Sequence, residues 1–198
     1  LRLWVVGSDY SEDLRIGPEI LKQHADVYRR LRNTLRFLLG NLNGFDDTEK
    51  LDISKMPALE RWVLNRIWGM DELLRRSCEE FEFHTLFTEL HNFCALDLSA
   101  FYFDIRKDSL YCDRLDDVRR RAARTVLDIL FDCLTAWLAP FICFSAEEAW
   151  LVRHSDRVPG NSVHLRTFPD IPDTWRDDEL AEKWDSLRDV RRVVTGAL

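Results

Sequence analysis

The chain has 198 residues, enough for one large domain or for a domain with an appendage. Hydrophobic residues make up 46% of it and aromatic residues 12%, so it can bury a sizeable core. Only seven glycines and six prolines are present, and because both residues break helices, their scarcity favours a helical protein. No signal peptide is recognisable and no apolar run is long enough to cross a membrane, which predicts a cytoplasmic protein without membrane contact.

The formal net charge of -7 is unfavourable for a nucleic-acid-binding protein, because phosphate contacts require Lys and Arg. The charges are, however, unevenly distributed. Acidic residues concentrate in Asp46–Asp52 and Asp170–Glu182, whereas arginines cluster in Arg29–Arg36, Arg119–Arg124 and Arg188–Arg192. Local clustering matters more for binding than the sum, so the arginine clusters keep an RNA-binding function open.

The five cysteines are odd in number, widely spaced and set in apolar segments, and no CxxC pair occurs. This pattern predicts buried, reduced thiols in a cytosolic protein rather than disulfides or a metal site. The cysteines are Cys78, Cys94, Cys112, Cys133 and Cys143.

The first two predicted helices both start at a proline, which is favoured in the first turn of a helix. The first begins at Gly17-Pro18 and ends at Asn41–Gly44, and the second begins at Pro57 after an acidic loop. Apolar residues recur every three or four positions along both, as expected for one buried stripe. In the first helix the stripe comprises Ile20, His24, Val27, Leu31, Leu35, Leu38 and Leu42.

The same spacing predicts a third helix from about His84 to about Asp108 and a fourth that starts by Leu115 and stops before Pro140. The third carries apolar residues on one side at Phe87, Leu90, Cys94, Leu98, Phe101 and Ile105.

The end of the chain is predicted to be less regular. Ser145–Glu148 has the sequence of a capping box and predicts the start of a short fifth helix that ends near Val152. Residues His154–Thr174 contain three prolines and predict irregular structure, in which Ser162–Phe168 forms a short extended strap over the bundle. Asp177–Leu198 predicts a final helix. Long amphipathic helices with modest connections indicate an all-α, up-and-down helical bundle.

Sequence motifs of common enzymes are absent: there is no GxSxG, no P-loop and no GxGxxG. The histidines are scattered, and His84 and His91 do not have the i,i+4 spacing of a metal-binding pair. We therefore predict no catalytic residue and no metal site.

Several stretches are more specific than helical periodicity requires. They are Leu1–Asp13, Tyr28–Leu42, Leu59–Leu64, Phe101–Asp108, Pro140–Trp150, Ser162–Leu165 and Phe168-Pro169. Together these stretches resemble the isoleucyl-tRNA synthetase family, occur in family order and cover nearly the whole chain. The family's first anticodon-domain helix reads YRxIRNTxRFLLxNL, and the segment after its KMSKS loop resembles the start of this chain.

The resemblance implies a class Ia synthetase anticodon-binding module. It implies a junction segment at 1–16 after a catalytic domain, a helical bundle at 17–153, and a strap and C-terminal helix at 154–198 that lead to a further C-terminal region. The parent enzyme of this family ligates isoleucine to its tRNA using ATP, and many members carry zinc beyond the position of Leu198. The HIGH and KMSKS signatures and the editing domain are missing here, so this chain is expected to have no cofactor and no catalytic activity. Its expected partners are isoleucine-specific tRNA and the rest of a monomeric synthetase; both ends look like cuts in a longer protein.

The candidate tRNA-binding residues lie mainly on the first helix. Arg29, Arg32 and Arg36 fall at i, i+3 and i+7 and so share one strip beside the apolar stripe, with Asn33 close to it. By resemblance to the methionyl relative, anticodon readers fall at Tyr28 and Arg32 and at the end of Phe101–Asp108. We expect phosphate contacts from five residues and a base contact from Tyr28 or Asn33. The five are Arg29, Arg32, Arg36, Arg106 and Lys107.

Alternatives remain at this point. The arginines could be solvated or paired with Asp26 or Asp104, and Tyr28 could pack in the core. Arg119–Arg121 and Arg124 could extend the basic surface or form a solvated helix face. A sister synthetase module (valyl) or a helical protein-interaction scaffold would also fit the sequence, and the acidic net charge favours the scaffold.

Overall fold

The computed structural model describes residues 1–154 and 160–197, and all regular secondary structure within these ranges is helical. Four short 3-10 turns lie in the connections, at Asp47–Glu49, Ile53–Lys55, Val163–Leu165 and Asp173–Trp175. The predicted all-α bundle is thereby confirmed. The α-helices are α1 (Arg2–Val6), α2 (Pro18–Asn41), α3 (Ala58–Glu80), α4 (Phe83–Asn92), α5 (Asp104–Cys112), α6 (Val118–Leu138), α7 (Cys143–Arg153) and α8 (Asp178–Ala197).

The bundle is organised around α6, which contacts α2, α3, α5 and α7. Its side chains are buried on nearly every face, and Phe131 and Trp137 are completely inaccessible to solvent. A helix buried on most of its surface is stable only when other elements surround it. The amphipathic helix α2 covers α6 with its apolar stripe and leaves its opposite face to solvent, whereas α3 lies between α6 and the elements α4 and α8.

The predicted starts of the first two long helices agree with the structure. Pro18 is the first residue of α2, where its missing N–H removes no helical hydrogen bond. Pro57 directly precedes α3. That helix ends at Glu80, and the next residue, Phe81, has a φ of 61°, the left-handed conformation typical of a helix C-terminus.

The start of the chain, Leu-Arg-Leu-Trp-Val-Val, forms a helix, although residues such as Val and Trp are common in strands. α1 packs on α2 and α4 through the half-buried Leu3 and Val6, and the indole of Trp4 donates to the carbonyl of Arg15 at 3.0 Å. Leu3 and Val6 are three residues apart and so share a helix face, whereas among the described residues no strand is present to pair with an extended segment.

The third predicted helix is longer than expected and changes type along its length. It runs without a break from Phe83 to Cys112, and the segment Phe93–Phe103 between α4 and α5 is π-helical. We call Phe93–Phe103 the π-helical segment. The fourth helix, α6, begins later than predicted, at Val118, because Asp117 caps it by accepting from the amide of Arg119 at 2.8 Å. Leu115 lies outside it and is exposed.

The predicted capping box at Ser145–Glu148 is wrong. α7 begins two residues earlier, at Cys143, so Ser145 lies inside the helix and cannot cap it. The hydroxyl of Ser145 instead bonds with that of Tyr28 at 2.7 Å, and Glu147 accepts from the amide of Val163 at 2.9 Å. Both side chains thus connect α7 to other parts of the molecule.

The predicted extended strap at Ser162–Phe168 is interrupted by a turn, while Ser162 and Arg166 on either side of it have extended backbone. Val163–Leu165 is a 3-10 turn whose Val163 side chain is buried against the core, and Arg166 lies 4.1 Å above the ring of Trp150. Part of the predicted irregular region, residues 155–159, lies outside the described residues.

Burial of the thiols agrees only partly with the sequence prediction. All five cysteines are free, but only Cys94 and Cys133 are fully buried. Burial raises the pKa of Cys94 to about 12 and also raises that of Cys133. Cys112, in the last turn of α5, is exposed, contrary to the prediction. None of the helices described is long and apolar enough to cross a membrane.

Candidate nucleic-acid interface

The predicted arginine strip is present on the solvent face of α2. Arg29, Arg32 and Arg36 are exposed at successive turns, and Asn33 is exposed between the last two. The side chains of Arg29 and Arg32 retain 65% and 58% of their accessible surface. We call these four residues the α2 strip. Helical spacing alone produces this row, because residues three and four apart lie on the same side of a helix.

The α2 strip lies between two grooves. On one side, α2 and α7 enclose a groove of about 260 Å³, which Arg32, Asn33, Arg36 and Glu148 line. On the other side, α2 and the end of α5 enclose a groove of about 430 Å³. Asn33 and Arg36 line both grooves, so their polar groups can reach a ligand in either one.

The ion pairs of the α2 strip are local and exposed. Arg29 pairs with Asp26 on the same helix, and Arg32 lies 3.7 Å from a carboxylate oxygen of Glu148 that is itself 63% exposed. No ion pair joins Arg36 to any residue in 1–154 or 160–197. Exposed pairs of this kind contribute between zero and about 1 kcal/mol, so phosphate groups can compete for these guanidinium groups.

Tyr28 lies at the edge of the core. Its ring packs against the buried cluster and its hydroxyl bonds with Ser145 across the α2–α7 contact at 2.7 Å. This position makes Tyr28 a link between two helices. The structure thus favours the core-packing interpretation of Tyr28 over base contact.

Arg106 is oriented into the bundle, in contrast to the predicted phosphate contact. Its side chain is 11% exposed, and Nε and Nη2 donate to the two carboxylate oxygens of Glu60 at 2.6 and 2.7 Å. Burial lowers the pKa of Arg106, but the hydrogen bonds and charge of Glu60 outweigh burial and raise the pKa above its ordinary value. Glu60 is fully buried and also accepts from the hydroxyl of Tyr102 at 3.2 Å. A guanidinium group held in this way cannot reach a phosphate at the surface, so we exclude Arg106 from the interface.

Lys107 remains accessible. Its ammonium group donates to Asp104 at 2.9 Å, and the hydrogen bond raises the pKa of Lys107. Asp104 also accepts from Arg191 of α8 at 2.8 Å. Because the side chains of Lys107 and Asp104 are 52% and 44% exposed, this pair is weak, and Lys107 stays a candidate for phosphate contact.

Tyr111 is a candidate that the sequence analysis missed. It lies one turn after Lys107 in α5, its residue is 64% exposed, and it lines the groove beside Asn33 and Arg36. The sequence signal was its i,i+4 spacing from Lys107, which places both on one helix face. The predicted helix end at Asp108 concealed that spacing, because it left Tyr111 in a loop.

The second arginine cluster is neither a basic surface nor a uniformly solvated face. Arg121 donates to three backbone carbonyls, at Thr48, Glu49 and Lys50. Arg124 is 5% exposed and pairs with Glu49. Of this cluster, Arg119 is exposed. Arg121 and Arg124 thus fix the connection between α2 and α3 against α6.

Acidic residues of the connection between α2 and α3 accept hydrogen bonds from nearby backbone amides. Asp46 and Asp52 each accept from a backbone amide two residues further on, and hydrogen bonds from Thr48 and Ser54 lower the pKa of these two carboxyl groups. These acids thus serve as caps of 3-10 turns, and Glu49 is paired with Arg124.

Comparison with known proteins agrees with this geometry. Residues 60–197 match the family model described as the anticodon-binding domain of tRNA ligase. Among similar proteins, an isoleucine–tRNA ligase of Ruegeria pomeroyi is 54% identical, one of Mesorhizobium japonicum 52% and one of Gluconobacter oxydans 49%. Each similarity covers 100% of this chain but 20% of the relative, so the chain spans about a fifth of the length of these curated relatives. Of the matched elements, α4, the π-helical segment, α6 and α7 pack against α2, on which the exposed arginine row lies. The chain belongs to the anticodon-binding domain family of tRNA ligases.

Proposed function

We propose that the chain binds the anticodon stem and loop of isoleucine-specific tRNA, as one module of an isoleucine–tRNA ligase. The observation that carries this proposal is the α2 strip: three exposed arginines and an asparagine in a row between two grooves, in a member of the anticodon-binding domain family. The names of the similar proteins support the isoleucine-specific form over the valyl alternative.

The chemistry of the strip suits RNA. Guanidinium groups present several N–H donors in a fork that matches two phosphate oxygens, and exposed arginines can bind without first breaking a strong pair. Asn33 carries both a donor and an acceptor and can hydrogen-bond to a base edge. Lys107 adds a further charge on α5. In this arrangement Arg29, Arg32, Arg36 and Lys107 bind phosphate and Asn33 meets a base.

Ligation of isoleucine to tRNA with ATP would be the activity of the longer ligase and not of this chain. No group of three or more His, Cys, Asp or Glu residues in the described ranges is arranged to hold a metal ion. In this proposal ATP and any zinc bind in other parts of the longer ligase, which is monomeric and cytoplasmic. The role of this chain is to position the tRNA.

A second candidate is a protein-interaction scaffold, which the net charge of -7 favours. The two functions differ in their response to salt. A tRNA complex held by phosphate contacts weakens steeply as salt rises, because binding releases counterions from the RNA.

The test is a fluorescence-anisotropy titration of this chain with isoleucine-accepting tRNA over a range of salt concentrations, with valine-accepting tRNA in parallel. We expect binding at low salt, a negative slope of log affinity against log salt, and tighter binding of the isoleucine-accepting tRNA. The variant Arg32→Ala should weaken binding and reduce the slope by about 1. Absence of any tRNA binding at low salt would leave the scaffold as the better account.

A further inference from the structure

Glu148 places a negative charge in a groove that is otherwise basic. Among the described residues that line the α2–α7 groove, Glu148 is the only acidic one, whereas Arg32 and Arg36 supply two guanidinium groups. The groove has a volume of about 260 Å³, so the carboxylate lies close to any ligand that enters it. A carboxylate repels the phosphate groups that these arginines attract. Glu148 therefore opposes the phosphate binding that we propose for the α2 strip.

The neighbouring glutamate has a structural role that Glu148 lacks. Glu147 accepts from the hydroxyl of Ser162 at 3.0 Å and from the amide of Val163 at 2.9 Å, so it holds the 3-10 turn against α7. Within residues 1–154 and 160–197, no group donates a hydrogen bond to the carboxylate of Glu148. Its ion-pair partner, Arg32, lies 3.7 Å away, and its side chain is 63% exposed. The carboxylate oxygens of Glu148 are thus free to accept from a ligand.

Helix packing holds Glu148 beside Arg32. The hydroxyl groups of Tyr28 in α2 and Ser145 in α7 bond to each other at 2.7 Å. Arg32 lies one turn further along α2 than Tyr28. Glu148 lies one turn further along α7 than Ser145, and the next residue, Ala149, is buried against the core. The contact between the two helices therefore sets the position of Glu148, since the attraction between two exposed charges is weak.

The arginines and Glu148 require opposite hydrogen-bonding partners. A guanidinium group only donates, and an ionised carboxylate only accepts. Phosphate oxygens accept hydrogen bonds, so they match the arginines of the α2 strip. The 2′-hydroxyl group, which distinguishes RNA from DNA, can donate as well as accept. An RNA backbone thus offers Glu148 a donor, whereas a DNA backbone offers it only negative charge and acceptors.

The spacing of the arginines brings a sugar to this carboxylate. Arg32 and Arg36 are four residues apart, about 6 Å along the axis of α2. One sugar separates neighbouring phosphate groups in a nucleic-acid strand. A strand that places a phosphate at each of the two arginines therefore carries a sugar between them, beside the groove that Glu148 also lines.

We propose that Glu148 is a specificity-determining residue that favours ribose over deoxyribose. Its carboxylate accepts a hydrogen bond from a 2′-hydroxyl of the bound strand and repels the phosphates of a strand that lacks this donor. The inference rests on the proposed function, since it assigns a preference for one sugar to the same surface. An acid placed among phosphate-binding arginines lowers affinity for the wrong ligand, and specificity depends on that difference in affinities.

The experiment measures affinities of this chain at low salt for one hairpin with the sequence of the anticodon stem and loop of isoleucine-accepting tRNA. The hairpin is prepared as RNA, as DNA, and as RNA with a single 2′-deoxy substitution at each position in turn. For the unsubstituted chain, we expect one of these substitutions to weaken binding roughly 3- to 10-fold, the range that corresponds to one hydrogen bond. For Glu148→Ala, the same substitution should leave affinity unchanged.

Two further variants separate the hydrogen bond from the charge and provide a control. Glu148→Gln keeps an acceptor oxygen but has no charge. It should bind the DNA hairpin more tightly than the unsubstituted chain does and still keep part of the preference for ribose. Glu79→Ala removes an exposed glutamate that lines neither groove, and it should retain the full preference. Equal midpoints of thermal unfolding show that the bundle is intact in each variant.

The outcomes separate this inference from the proposed function. If the unsubstituted chain binds the RNA hairpin but no deoxy substitution weakens binding, the assignment of Glu148 is overturned while the proposed function stands. The same conclusion follows if the critical substitution weakens Glu148→Ala as much as the unsubstituted chain. If the unsubstituted chain does not bind the RNA hairpin at low salt, the proposed function fails and this inference fails with it.

Discussion

Arginines on α2 and arginines on α5 and α6 look alike in the sequence but have opposite surroundings. Those of the α2 strip are exposed, and their partners are exposed carboxylates or none among the described residues. Arg106 and Arg124 are nearly buried, and each holds a glutamate through close hydrogen bonds. The helix that supplies the arginine does not decide this difference; it depends on whether another chain segment lies opposite.

The comparison shows how one residue type serves two purposes. An arginine that faces another segment of the bundle uses its donors in hydrogen bonds and an ion pair with that segment, because a buried charge must be paired. An arginine that faces solvent beside a groove keeps its donors for a ligand. The following substitutions test this distinction, beginning with the largest expected effect on stability.

Glu60→Ala should destabilise the bundle most. It leaves Arg106 buried without its carboxylate, and breaking one partner of a buried pair costs about 3–5 kcal/mol. Urea denaturation followed by circular dichroism measures the loss. The double variant Glu60→Leu with Arg106→Met should recover much of it. A single variant as stable as the unsubstituted chain would show that the pair is not structural.

Arg124→Ala should be somewhat less damaging, at about 2–4 kcal/mol. Its guanidinium group bonds Glu49 at 2.7 Å and also the carbonyls of Asn41 and Asn43, so its loss frees the connection after α2. Glu49 is 22% exposed and can regain some hydration, which limits the cost. The same denaturation assay applies, with exposed Arg119→Ala as the matched control on the same helix. Equal midpoints for the two variants would contradict the assignment.

Asp97→Ala should cost about 1.5–3 kcal/mol, because this carboxylate accepts from two charged donors. Arg66 of α3 lies 2.8 Å from it and Arg188 of α8 lies 2.5 Å from it, so Asp97 in the π-helical segment joins three elements. Besides a lower denaturation midpoint, we expect faster proteolytic cleavage in α8. Unchanged cleavage would mean that Trp184, packed 6.1 Å from Trp62, holds α8 without the ion pairs.

Arg36→Ala should change stability by no more than about 0.5 kcal/mol, since no ion pair within the described ranges depends on this side chain. The same variant should bind tRNA less tightly. A destabilisation comparable with that of Arg124→Ala would contradict the distinction between the exposed arginines of the α2 strip and the buried, paired arginines.

Much of the fold could be predicted from the sequence because its signals are local. Pro18, Pro57 and the apolar spacing of α2 specify where helices begin and which face is buried, and the structure agrees. The burial of Arg106 and its pairing with Glu60 could not be predicted in this way. A π-helical segment precedes it, and its extra residue per turn changes the face on which later residues fall. The buried partner Glu60 is also 46 positions away in the chain.

The candidate site was predicted to a similar extent. Exposure of Arg29, Arg32 and Arg36 follows from spacing on a single helix. The contribution of Tyr111 to the same surface requires knowing that α5 continues past Asp108 and passes beside Gly40, which is a tertiary contact. Ser145 illustrates the opposite error: a capping motif was present, but packing of Tyr28 and α7 used its hydroxyl differently.

The most direct test of the central claim compares two triple variants with the same change in charge. One replaces Arg29, Arg32 and Arg36 by Gln. The other replaces Arg114, Arg119 and Arg192 by Gln, which are exposed residues outside α2. In salt-titrated tRNA binding, the account predicts that the first variant loses affinity and that its salt slope falls by about 3, one for each phosphate contact, while the second remains close to the unsubstituted chain. Equal losses in both variants would contradict the account, because binding would then depend on overall charge and not on the α2 strip.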